Sequence, residues 1–271
     1  MLDGARILLT GGTGSIGHHV AEMLAEARAD LLVVGRSSPS APGAKHLPGD
    51  LSSMSDIERV GRQVAAWGPD ILINLAGSQF FGRFEDQASG DVQRHYLLNL
   101  VAPTILAQAA IPSMKEKGRG HIVNVGSIFG SINYPHFVTY SVAKAGLHAL
   151  SQSLRRELEG SGIHVTYVAP RAVESGLNTG DVARFVDMAK MAADQPEDVA
   201  RRILQAIRKR ERDVFMGGPE RFFVWMNAIA PAVVDRGLAG QTRNIRSLLQ
   251  SEPDSEPNSE PNSEPNGEQR A

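Results

Sequence analysis

An α/β fold, a doubly wound parallel sheet, is predicted by three features of this chain. Short apolar runs alternate with segments of helical periodicity along most of its length. The runs are apolar at consecutive positions, as expected of strands covered by helices on both faces. A glycine-rich turn, TGGTGSIG over 10–17, follows the first run and opens the first helical pattern. Repeated strand–helix units of this kind imply right-handed crossovers within one sheet.

The elements follow in order. Ala5–Leu9 reads as a strand and His18–Ala27 as a helix; Leu31–Gly35 is a second strand. Three prolines and two glycines between Arg36 and Asp50 leave no room for a helix, so one crossover is expected as a loop. Asp56–Ala66 is then a helix, Ile71–Leu75 a strand, Val92–Met114 a long helix, His121–Val125 a strand, Val138–Glu159 a helix and His164–Ala169 a strand. Pro196–Arg208 is a helix with Pro at its start and basic residues at its end, both favoured by helix termini. Val214–Met216 reads as a last short strand, and 219–250 as an added helical segment broken at Pro231. One domain over 1–250 is expected. The SEPD/SEPN repeats of Ser251–Asn266 hold no apolar side chain, so the tail 251–271 is expected to be disordered.

A length of 271 residues suffices for a large core. The net charge of -2, with no basic stripe, argues against nucleic acid as a partner. The absence of Cys excludes disulfides and thiol catalysis. The apolar stretches Leu97–Ile111 and Val224–Val234 are interrupted by polar residues or Pro and read as too short to span a membrane, and the glycine turn follows Leu2–Leu9 too closely for a signal peptide. A cytoplasmic location is the expectation. The histidines are scattered without ligand spacing, so no catalytic metal is predicted.

Gly11, Gly14 and Gly17 lie three apart, and with Thr13, Ser15 and Ile16 they form a turn that lets a pyrophosphate approach a helix N-terminus. This is the cofactor loop of a Rossmann-type sheet. The end of the second strand selects the nucleotide. A carboxylate there would bind a ribose 2′-hydroxyl, whereas this chain has Arg36 and Ser37, suited to a 2′-phosphate. NADP(H) is therefore favoured over NAD(H).

Further landmarks appear in a family order: Asp50 with Leu51, Asn74 to Gly77 (NLAG), Asn99, Ser127, Tyr140 with Lys144 (YSVAK) and Pro170. From Leu2 to about Gly217 the chain resembles the short-chain dehydrogenase/reductase family, in its short single-domain branch. The resemblance implies that Tyr140 is the general acid/base, that Lys144 favours its phenolate and holds the nicotinamide ribose, and that Ser127 polarises the substrate carbonyl. It implies that Asn99 completes a water-linked relay to Lys144. Asp50 and Leu51 would flank the adenine, and Asn74, Ala76 and Gly77 would border its ribose and stabilise the central strand. Pro170, Val173 and Ser175 would meet the cofactor from the following turn. A homodimer or homotetramer and a small carbonyl or alcohol substrate are implied as well.

Three departures from the family pattern stand out. Ser15 replaces a Gly, so the glycine spacing resembles the extended branch of epimerases and dehydratases. Arg171 replaces the Gly after Pro170, where it can touch a cofactor phosphate, a substrate acid group or solvent. Ser175 replaces a Thr. In the family, the segment 175–195 is a lid over the substrate. Its Leu177, Phe185, Val186, Met188 and Met191, with Phe80, Phe81, Phe84, Ile128, Phe129, Tyr134 and Phe137, predict an apolar pocket and a hydrophobic ketone. The 219–250 segment is expected to roof that pocket, ahead of roles as an oligomer interface or a membrane-surface helix. A nicotinamide-recycling epimerase or dehydratase and a non-catalytic NADP-binding protein are the alternative functions.

Overall fold

The computed structural model describes residues 2–176, 180–188 and 191–250; Leu177 and the repeat tail 251–271 lie outside the described residues. β1 (Arg6–Thr10), α1 (Ser15–Glu26), β2 (Asp30–Gly35), β3 (Lys45–Pro48), α2 (Met54–Trp67) and β4 (Ile71–Asn74) form the first half. α3 (Ser89–Tyr96), a π turn (Leu97–Val101) and α4 (Ala102–Glu116) run on without a break. β5 (Gly120–Val125), α5 (Phe129–Ile132), α6 (Val138–Glu157) and β6 (Ile163–Ala169) follow, then β7 (Ala172–Val173), α7 (Asp181–Met188) and β8 (Ala193–Asp194). The chain continues through α8 (Pro196–Lys209), β9 (Asp213–Phe215), α9 (Gly218–Ile229) and α10 (Pro231–Gln250).

Seven parallel strands pair in the order β3-β2-β1-β4-β5-β6-β9, and β7 pairs with β8 separately. The sequence shows why both faces are covered. Leu9, Ile73 and Val123 point into one core with Val20 and Leu24 of α1 and Ile203 and Ile207 of α8. Their neighbours Leu8, Leu72 and Ile122 point into the other, with Val60 and Val64 of α2 and Leu106 and Ala110 of α4. Successive strand residues face opposite sides, so consecutive apolar residues feed two cores.

Several expectations need correction. The proline-rich connection holds no helix, but it contains the edge strand β3, with Leu32 paired to Lys45 and Gly35 to Pro48. Only Leu47 is buried there, so there is little hydrophobic pattern to read. Pro48 is tolerated because an edge strand has one free side. The long helix extends beyond 92–114 and is interrupted by the π turn. Spanning Ser89–Glu116, 28 residues with hydropathy 1.4, it is long and apolar enough by length and composition to cross a membrane. Asn99 and Gln108 interrupt the apolar run without ending the helix, which hides its length in the sequence. In this fold its apolar face, including Ala102, Leu106, Ala110 and Met114, is buried in the second core. The C-terminal break falls just before Pro231, as expected, and α10 runs as one helix from Pro231 to Gln250.

Candidate active site

The cofactor loop is built by contacts that exclude side chains. Thr10 Oγ1 accepts hydrogen bonds from the backbone N–H groups of Leu75 and Ala76, both at 3.0 Å, tying the end of β1 to the end of β4. Gly11 has φ +73°, and a Cβ on it would stand 2.7 Å from Ala76 Cα. A Cβ on Gly17 would stand 1.9 Å from Gly11 O. Both glycines are therefore forced by the protein itself. A Cβ on Gly14 would meet only Gly11 O, at 3.5 Å, so this glycine leaves room on the groove side at the N-terminus of α1. Ser15, in place of the family glycine, accepts a hydrogen bond from the Gly176 N–H at 3.4 Å and so links the loop to the start of the lid segment.

A groove of about 600 Å³ runs along this edge of the sheet. Gly11, Thr13, Gly14, Ser15, Ile16, Arg36, Asp50, Leu51, Ala76, Gly77 and Ser175 all line it. Arg36 makes no ion pair or hydrogen bond among the described residues and is exposed at the groove's end. Asp50 is held low by hydrogen bonds from Ser52, with a smaller contribution from the Arg36 charge. Ser37 is exposed but does not line the groove. Asn74 does not line the groove. Its side chain is buried away from the groove and donates to Asn124 Oδ1 at 2.8 Å, while Asn124 donates to Ser151 Oγ at 2.8 Å. It fastens β4 to β5, the strand-stabilising part of its expected role.

A second hollow of about 120 Å³ adjoins the groove, with Ile16, Leu75, Gly77, Gln79 and Ser175 on both borders. Ser127, Tyr140, Lys144, Pro170 and Val173 line it. Ser127 follows β5, and Tyr140 and Lys144 sit one turn apart on α6, where residues four apart share a face. The Lys144 ammonium lies 5.7 Å from the Tyr140 ring centre. Burial pushes the Tyr140 phenol above its ordinary value, and its hydrogen bond with Ser127 works against that rise. Burial brings Lys144 down to about 8. Its ammonium donates to Val125 O at 3.1 Å.

Asn99 is fully buried inside the π turn. Its amide donates to His95 O (3.0 Å) and Ser78 O (3.1 Å) and accepts from the Ser78 N–H (3.3 Å). A Cβ on Gly77 would lie 2.9 Å from Asn99 Oδ1 and 3.3 Å from Lys144 Nζ. Gly77 is thus the gap that lets Asn99 and Lys144 approach the same point.

Tyr167 escaped the sequence reading. Its hydroxyl donates to Ser127 O (3.3 Å) and accepts from the Ser127 N–H (3.4 Å), bracing the residue that carries the site hydroxyl. A tyrosine within β6 is the available signal, because a buried phenol needs a polar partner. Arg171 lines the hollow beside Pro170. It pairs with Asp194 at 2.8 Å and Glu220 at 3.5 Å, joining β8 to the first turn of α9.

The predicted apolar wall is partly present. Ile128, Phe129, Phe137, Phe185, Val186 and Met191 line the hollow. Phe81 and Tyr134 pack behind them, and Phe84 and Met188 are exposed instead. The C-terminal helices cover this cluster from outside: Ile245, Leu238 and Leu249 pack on it, Tyr134 hydrogen-bonds Gln241, and Asn227 donates to Ser131 O at 2.7 Å. Among the described residues no group of three potential ligands gathers for a metal.

The profile of one protein family, described as short chain dehydrogenase, matches residues 5–184. The chain belongs to that family. This short-chain dehydrogenase is 30% identical over 255 residues to the ketoacyl reductase HetN of Nostoc sp., covering 87% of this chain and 88% of that one. It is also 30% identical over 272 residues to a dehydrogenase/reductase SDR family member 7B of Rattus norvegicus, covering 90% and 83%. Among solved structures, a short-chain dehydrogenase from Sphingobium yanoikuyae in complex with NADPH superposes with TM-score 0.70 at 25% identity, covering 92% of this chain and 98% of the other. One from Streptomyces avermitilis shares the fold with TM-score 0.74 at 24% identity, covering 92% and 100%. The family membership makes this short-chain dehydrogenase an oxidoreductase of the CH–OH/C=O couple that uses a nicotinamide cofactor.

Proposed function

We propose that the chain is an NADP(H)-dependent reductase of an apolar ketone, with Tyr140 delivering the proton to the carbonyl oxygen. The observation that carries this reading is the half-buried Tyr140, lining the hollow together with Ser127 and Lys144 where the hollow adjoins the groove. A phenol raised by burial is protonated at neutral pH and so is set to act as an acid. Ser127 Oγ accepts from the Phe129 N–H at 3.2 Å, which leaves its own proton to orient the carbonyl oxygen. As Tyr140 gives up its proton, the nearby Lys144 ammonium stabilises the phenolate and can return a proton to it. NADPH, when bound, supplies the hydride.

The groove suits that cofactor. Gly14 leaves space where a pyrophosphate would meet the N-terminus of α1, and the exposed Arg36 offers a forked pair of donors for a 2′-phosphate. At about 120 Å³ the hollow is smaller than most ligand pockets, so a bulky ketone requires α7, with Phe185, to move outward. Val138 and Val142 are exposed on α6 and offer a face for a second copy, to be checked by sedimentation.

Fluorescence titration of the purified chain with NADPH and NADH, alongside Arg36→Asp, tests the cofactor reading. We expect tighter NADPH binding, weakened ~10- to 100-fold by the substitution, as for lost charge-assisted hydrogen bonds. An unchanged NADPH affinity in Arg36→Asp would remove the NADP(H) preference. NADPH oxidation across ketones of graded size then tests the substrate class, and turnover of small polar carbonyls alone would overturn it.

A further inference from the structure

The opposite end of the sheet holds a separate hollow. The N-terminal ends of β1, β4, β5 and β6 surround a cavity of about 330 Å³. The charged and titratable residues lining it are Asp3, Asp70, Arg119, Arg210, His121 and His164. It shares no lining residue with the groove or the catalytic hollow.

Its charges do not cancel. Asp70 is occupied by Lys117 at 2.8 Å and by the Arg6 N–H at 3.0 Å. Asp3 is occupied by Arg28 at 3.0 Å. Arg119 and Arg210 have no side-chain hydrogen bond or ion pair among the described residues. Basic residues near the ends of α4 and α8 complement the helix dipoles, which accounts for charge here but not for a concave site. It accounts still less for His121, which lines the cavity at 5% exposure with His164 edge-on at 6.0 Å. Thr166 Oγ1 spends its proton on Glu211 O, so the 2.8 Å bond from His121 requires Nε2 to be the donor. Nδ1 is then the nitrogen left to take up a proton.

We propose that this hollow binds a compact oxyanion carrying at least two negative charges, a phosphate or polycarboxylate, held by Arg119 and Arg210 beside the His121–His164 pair. Guanidinium forks match such oxygens two at a time. With no anion present, burial first, then the charges of His164 and Arg210, bring His121 down to about 4. His164 is lowered by burial and by Arg210. An oxyanion offsets the Arg210 charge and favours the protonated rings, so binding raises the affinity of both imidazoles for protons. The groups facing His121 are His164 and Thr166 of β6, Arg210 after α8, Asp70 before β4, Arg119 before β5 and Asp3 before β1.

The test is titration of the full chain with inorganic phosphate and with citrate, ionic strength held constant with sodium chloride, reading the imidazole NMR signals of His121 and His164. Saturable shifts of both are expected, weakened at least ~10-fold in Arg119→Ala with Arg210→Asn, because each removes charge-assisted bonds. Asn suits the positive φ of 52° at position 210. Retained unfolding cooperativity without anion checks that the pair folds, and Arg119→Lys with Arg210→Lys should recover part of the affinity. Arg36→Ala should leave the shifts intact. Absence of saturation overturns the proposal. So does binding that survives the double substitution, or binding lost in Arg36→Ala, which would put the anion in the cofactor groove.

Discussion

The groove beside β1 and β2 is shaped largely by backbone, whereas the hollow beneath α7 is shaped by side chains from separate elements. In the groove, Gly11, Gly17 and Gly77 are fixed by what a single carbon would strike: Ala76, the Gly11 carbonyl, and the Asn99–Lys144 gap. In the hollow, Phe129 of α5, Phe137 before α6, Phe185 of α7 and Met191 converge from over sixty residues of chain. Backbone geometry admits few substitutions and serves a constant ligand. A wall of packed side chains can change residue by residue and suits a variable one.

Substitutions should separate the two halves. Tyr140→Phe, in the hollow, should lower kcat by ~10²–10⁴, as for loss of a general acid. NADPH affinity by fluorescence should stay the same, and a matching loss of affinity would mean Tyr140 only shapes the groove. Phe185→Ala should cost ~3–5 kcal/mol of stability in denaturant unfolding, as for truncation of a buried aromatic. It should also raise kcat/KM for bulky ketones relative to small ones while sparing NADPH binding. Gly17→Ala reverses that pattern: overpacking of ~1–3 kcal/mol at the loop should weaken both nucleotides and leave the ketone size preference unchanged.

The smallest effect concerns Lys144. Burial holds it at about 8, below the ~10.4 of a free lysine, so in that window the unfolded chain binds the additional proton. Stability of the cofactor-free protein should therefore rise with pH from about 8 to 9.5, and Lys144→Met should flatten that limb in thermal melts. Tyr140, raised instead, acts in the opposite sense only above the ordinary phenol value near ~10.

What was legible in the sequence follows the same division. The glycine loop and the Tyr140–Lys144 pair are local patterns, each closed within eight residues, and the structure brings them together. The paired cores were legible because strands covered on both faces need apolar residues at consecutive positions. Contacts set by distant partners were not. Nothing near Arg171 announces Asp194 or Glu220, and nothing near Ser127 announces Tyr167. The strand-stabilising role of Asn74 follows from its motif, but its partner does not: Asn124 stands opposite in register on β5. β3 carries too few buried residues to show any period.

The π turn at 97–101 acts as a phase shifter. Each residue advances an α-helix by about 100°, so the one extra residue of a π turn re-aims everything beyond it without bending the chain away. Before the turn the helix must aim His95 at Ser78 and the groove, and the turn itself holds Asn99 on Ser78; beyond it the helix must aim Leu106, Ala110 and Met114 at the sheet. A deletion of one residue between Leu97 and Val101 would leave a more regular helix and a worse enzyme. Either Asn99 would swing off Ser78 or the apolar stripe of α4 would rotate out of the core, so evolution cannot straighten this helix without redrawing one of its two faces.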